Sequence, residues 1–149
     1  MPDSDIFIEQ LFPVIGTNYR LTSDSDDKYN CIAYAADDME RWWEPGRYWP
    51  PNVPERIDLN SFIACYTSIG YQDCNMDSRL EPGYEKVAIF VGHFGLPTHA
   101  AKQFAEGNGL WKSKLGKYKD IEHTLDGISG IFHRGSYGNV AVILKRKAK

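Results

Sequence analysis

Val87-Ala88-Ile89-Phe90-Val91 is a continuous apolar run of strand length. A strand with one wet face alternates apolar and polar residues; one that does not alternate is covered on both faces. The run predicts a central strand. Thr98 to Phe104 reads as its neighbour, and Glu106-Gly107-Asn108-Gly109 as a hairpin turn before a returning strand, Leu110 to Ser113. Asn139 to Leu144 reads as the last strand. Ahead of the strands the spacing is helical. Residues 4–12 place Ile6, Phe7, Leu11 and Phe12 on one side, with Pro13 as the stop. A second helix runs from Cys31 to about Trp43, with Ile32, Ala35, Ala36, Met39 and Trp42 on its buried face. A third carries Leu59, Phe62, Ile63, Tyr66 and Ile69 and closes at Gly70. Residues 20–28 are polar and acidic and read as a surface loop, and a short helix is expected from Ile121 to about Ile128. Helices first and a mostly antiparallel sheet after them make an α+β fold. At 149 residues the chain is expected to form a single domain, residues 1–149, burying about two thirds of its unfolded surface.

The chemistry centres on Tyr29-Asn30-Cys31-Ile32. Asn30 is a good helix N-cap, since its side-chain oxygen accepts a free amide hydrogen of the first turn. Cys31 then sits where the helix end favours negative charge, which lowers a thiol pKa and makes a nucleophile. The competing reading is a small, inert, buried residue. His99, opening a strand beside the apolar run, has the pKa to take a thiol proton and return it to a leaving group. A third group should orient its imidazole. A two-residue turn at Asn108-Gly109 would oppose His99 to Tyr118 and make Asp120 its diagonal neighbour. Ser113 is the other candidate, and His123 could point into the same cleft. The amide of Cys31 and the side chain of Asn30 are the nearest donors for an oxyanion.

Between Glu44 and Pro54 four prolines and a glycine exclude regular structure. The aromatic loop around Trp49 either packs on the helices or walls the substrate cleft. Cys65 and Cys74 read as structural. Three cysteines without a C-x-x-C pair argue against a disulfide framework or zinc ribbon. The histidines, His93, His99, His123 and His133, lack metal-site spacing, and no glycine loop cradles phosphate, so neither metal nor cofactor is expected. A net charge of −3 argues against nucleic acid as a partner. The basic end, Lys145 to Lys149, reads as the solvated end of a strand. No run approaches the roughly 20 apolar residues of a membrane span. The N-terminus lacks signal-peptide character, so a cytoplasmic protein is expected.

Cys31 on a helix, His99 opening a strand, and Leu110 to Gly116 after a hairpin resemble the papain-like superfamily. That resemblance implies a cysteine hydrolase in which an Asn or Asp after the histidine orients the imidazole. Ser113 takes that position here, and Ser25 stands where a glutamine is expected before the cysteine. A wider resemblance, carried by Tyr29 to Ala36, Trp42-Trp43, Tyr48 to Pro51, Pro97 to Ala101, Ser113 to Gly116 and Asp120 to His123, is to a family of uncharacterised bacterial domains. Two functions follow as expectations. One is a peptidase- or amidase-type hydrolase of a peptide or small acylated substrate, with Cys31 as nucleophile, His99 as base and acid, and Asp120 or Ser113 orienting it. The other is a non-catalytic module that binds a protein or peptide on the same fold.

Overall fold

The computed structural model describes residues 5–130 and 136–149. Three helices, α1 (Ile6–Leu11), α2 (Cys31–Ala35) and α3 (Leu59–Thr67), pack on an antiparallel sheet of seven strands. These are β1 (Tyr19–Ser23), β2 (Gln72–Asp73), β3 (Tyr84–Val91), β4 (Pro97–Gln103), β5 (Trp111–Lys114), β6 (Asp120–His123) and β7 (Asn139–Lys147). They run β1-β6-β5-β4-β3-β7-β2 across the sheet. The apolar run lies in β3, between β4 and β7 and buried on both faces, as a run without alternation requires. Val87 and Ile89 point to α2, α3 and the aromatic loop. Ala88 and Phe90 point to Ile8, Phe12, Ile15 and Ile128. The mixed α+β class holds. Among the described residues no helix is long and apolar enough to cross a membrane.

Several elements depart from the pattern in the sequence. α1 is rotated: Ile8 and Phe12 face the core, while Ile6, Phe7 and Leu11 are 74%, 52% and 42% exposed. Asp5 fixes this rotation. Its carboxylate caps the amides of Phe7 and Ile8 and accepts from Tyr118 Oη at 2.5 Å and Lys119 Nζ at 3.0 Å. Residues 19–23 form an edge strand rather than a loop. Polar cross-strand pairs hold it: Arg20 grips both oxygens of Glu122, and Thr22 Oγ1 donates to Asp120 Oδ1 at 2.6 Å. The expected helix at Ile121 is instead β6 followed by a single 3-10 turn, Asp126–Ile128. The basic end is only partly solvated, because Arg146 donates to Glu85, Asp37 and the Ile69 carbonyl.

α2 stops at Ala35, well short of Trp43, because Asp37 takes a left-handed φ of 64°. The chain then turns around Asp38, whose carboxylate accepts from Glu40 N, Arg41 Nε and Trp43 Nε1. Trp43, not Met39 or Trp42, is the residue that buries. Asn30 closes the loop. Its Oδ1 accepts from Ala33 N and Trp43 N, both at 3.1 Å, and its Nδ2 donates to Trp43 O at 2.8 Å. One side chain thus caps α2 and ties the returning loop to the helix start. Asn30→Ala should cost about 1–3 kcal/mol, and Asn30→Asp should also destabilise, since its second carboxylate oxygen would face the Trp43 carbonyl with no hydrogen between them. Urea unfolding of both variants checks this; an unchanged midpoint in Asn30→Ala would contradict it.

Candidate functional site

Cys31 opens α2, part-buried against β4. The backbone amides near it, those of Ala100, Ile32 and Cys31 itself, favour the charged form of its thiol. The β4–β5 ladder is registered at Lys102 opposite Lys112 and lapses beyond it toward His99. That gap is where the Ala100 amide meets the cysteine. Three donors favour thiolate, yet burial outweighs them and pushes the thiol up to about 11. The depressed pKa expected of a helix-end cysteine is therefore corrected. Cys31 rests as a thiol.

His99 is buried on β4. The Tyr137 ring lies flat on its imidazole, with centroids 3.9 Å apart and planes 3° apart, and Phe90 meets it edge-on at 5.6 Å. His99 Nε2 lies 2.8 Å from Ser113 Oγ, and the same hydroxyl lies 2.7 Å from His123 Nε2. His123 Nδ1 lies 2.7 Å from the carbonyl of Thr124. A chain of polar side chains thus crosses three strands inside an apolar layer. At its head, His99 Nδ1 is buried without a hydrogen-bond partner among the described residues. Leaving such an atom unmade costs about 1–3 kcal/mol. Burial holds His99 well below the ordinary histidine value, with His123 adding to the effect, and takes His123 to about 4. Both imidazoles are neutral at physiological pH.

Strand register explains who meets whom. With Lys102 opposite Lys112, Ser113 lies diagonal to His99, and Trp111 opposite His123 places His123 diagonal to Ser113. The two-residue turn expected at Asn108-Gly109 would have opposed Lys102 to Leu115 instead. An odd offset reverses every side chain, so Asp120 lies on the other face, bonded to Thr22. Asp120 does not reach His99; Ser113 does. The substrate-binding candidates are also placed elsewhere. Asn30 is buried beneath the returning loop, with an Nδ2 hydrogen on Trp43 O. Trp49 is buried against Phe62 with its Nε1 on Pro54 O, which is core packing rather than a cleft wall. His123 is buried behind Ser113. His133 lies outside the described residues.

The sequence reading missed three contributors. Tyr137, which covers His99, is followed by Gly138 at φ 94°, where an added Cβ would strike the Val91 carbonyl. That close approach brings the chain past β3 and was signalled only by a lone glycine. Ala100 contributes a backbone amide, which no residue type announces. Lys114, fully buried, donates to the carbonyls of Asp26 and Gly116 and so pins the loop leading into Cys31. Among the described residues no three His, Cys, Asp or Glu side chains converge in a metal-holding group.

A family model described as a domain of unknown function, DUF7689, matches residues 20–145. The chain belongs to this family. Cys31, His99, Ser113, His123 and Tyr137 all fall inside the matched span, and α1 lies outside it. No curated protein and no solved structure matches the chain.

The neutral histidines set a pH dependence. The unfolded chain takes up protons below pH 6.5, whereas folded His123 does not until about 4. Stability is therefore full above pH 6.5 and lost as pH falls toward 4, by about 3 kcal/mol from His123. Urea midpoints at pH 7 and 4.5 should show this fall, and His123→Gln should reduce it. A midpoint that does not change with pH would contradict the buried neutral assignment.

Proposed function

We propose that this domain is a cysteine hydrolase of papain-like arrangement, acting by acyl transfer on an amide or thioester. The observation that carries the reading is the unpartnered, buried Nδ1 of His99 in β4, the strand on which the Cys31 helix packs. A neutral imidazole nitrogen left bare inside an apolar layer is costly unless it has a proton to receive. In the first step the Cys31 sulfur bonds to the acyl carbon and its proton passes to His99 Nδ1. The imidazolium gives that proton to the departing amine or thiol. Water then attacks the acyl-thioester, loses a proton to Nδ1, and the proton returns to sulfur as the carboxylic acid leaves. Ser113 orients the imidazole from behind.

A second reading, a binding module without catalysis, draws on other observations. The Cys31 thiol is raised, His99 is a weakened base, and a groove of about 1080 Å3 lies at the far end of α2 among Asp38, Arg41, Trp43 and Tyr48. Acylation separates the two. Treated with a p-nitrophenyl ester or an acyl thioester and examined by intact-mass and peptide mass spectrometry, the domain should acylate at Cys31. His99→Ala should slow this by about 100-fold or more. Equal rates in both proteins, or none above that of an unfolded thiol, would remove the hydrolase and leave the module.

A further inference from the structure

We propose that His123 is a positioning residue, which through the Ser113 hydroxyl decides which nitrogen of His99 carries the proton and keeps Nδ1 as a bare lone pair. The purpose of that arrangement rests on the hydrolase reading. The proton order itself rests only on hydrogen bonds.

The order can be followed from its anchored end. The Thr124 carbonyl accepts and cannot donate, so His123 Nδ1, 2.7 Å away, carries a hydrogen. A neutral imidazole has one N–H, so His123 Nε2 is an acceptor. Its partner is Ser113 Oγ at 2.7 Å, and the single hydroxyl hydrogen must point to it. Ser113 then has only lone pairs to offer His99 Nε2 at 2.8 Å, so that nitrogen is the N–H. His99 is left with an unprotonated Nδ1, the atom that lacks a partner. Reversing the order would require a hydroxyl with two hydrogens or a doubly protonated His123 in an apolar layer. A buried, unpaired charge is the costlier state.

The consequence is specific. A base that accepts the Cys31 proton needs a lone pair before the reaction, and neutral histidine puts it on the correct nitrogen only if something fixes the tautomer. Papain-like sites use an amide or carboxylate oxygen for this. Serine is ambiguous, since its hydroxyl can donate or accept. His123 removes the ambiguity by taking the hydroxyl hydrogen. The Ser113–His123 pair acts as one composite acceptor for His99.

Nitrogen-15 spectra of the histidine rings test this in the wild type, His123→Gln and His123→Leu. Glutamine can accept from Ser113 and donate to Thr124 O, so it should keep the Nε2–H tautomer of His99. Leucine cannot accept, so the serine hydrogen turns to His99 Nε2 and the ring moves to the Nδ1–H form. Acylation of Cys31 should fall about 100-fold in the leucine variant and be largely restored in the glutamine one. If the leucine variant does not fold, Ser113→Ala, which shortens the chain without enlarging any residue, should likewise release the fixed tautomer. An Nδ1–H tautomer in the wild type, or a leucine variant with tautomer and acylation unchanged, overturns the proposal. Tautomers that shift as described in a protein whose Cys31 never acylates would retain the His123 relay and dismiss the hydrolase.

Discussion

The offset between β4 and β5, set where Lys102 faces Lys112, decides which side chains can meet. Alternation along a strand allows no intermediate choice, so each odd step in register exchanges the two faces of the sheet. With the observed offset, His99, Ser113 and His123 fall on one diagonal and inside one apolar layer. The carboxylate of Asp120, one residue before Ile121, goes to the other side and pairs with the edge strand. The site thus has a neutral hydroxyl and a second imidazole where a charged partner would have made His99 a stronger base.

Buried lysines hold the loops around this frame. Lys86 donates to the carbonyls of Asp77 and Arg79, Lys102 to Ala35, and Lys114 to Asp26 and Gly116. Each ammonium leaves the sheet and meets backbone oxygens that would otherwise need water. Lys102 also lies beside Glu85 and Asp37, which Arg146 joins, so the end of α2 is fastened by charge. Lys114 does the same for the loop before Cys31 without a carboxylate in hydrogen-bond contact. Asn30 completes the frame through Trp43. Cys31 is therefore held by its neighbours on both sides in sequence, and its surroundings are dry enough to keep the thiol protonated.

Local pattern made much of this legible. The unalternating run at Val87 predicted the central strand, Asn30 was readable as a cap, and α3 kept the spacing of Phe62 and Tyr66. What escaped depends on distant partners. α1 is rotated by Tyr118 and Lys119, more than a hundred residues from Asp5. β1 has no apolar alternation and is held by Arg20–Glu122 and Thr22–Asp120. α2 ends because Asp37 and Asp38 build a turn that helical spacing cannot reveal. At the site, His99, Ser113 and His123 were all candidates by residue type. Their grouping, and the separation of Asp120 from them, needed a register that a glycine-rich turn left open.

The pH–rate profile for acylation of Cys31 by a thioester tests the central claim most directly. If His99 Nδ1 takes the proton, the rate should be level from pH 6.5 to 9, since His99 is already neutral and the thiol still protonated across that range. If the cysteine reacts by itself as an ordinary thiol, the rate should rise tenfold for each pH unit until its own pKa is reached. That slope, unaltered in His99→Ala, would contradict the account.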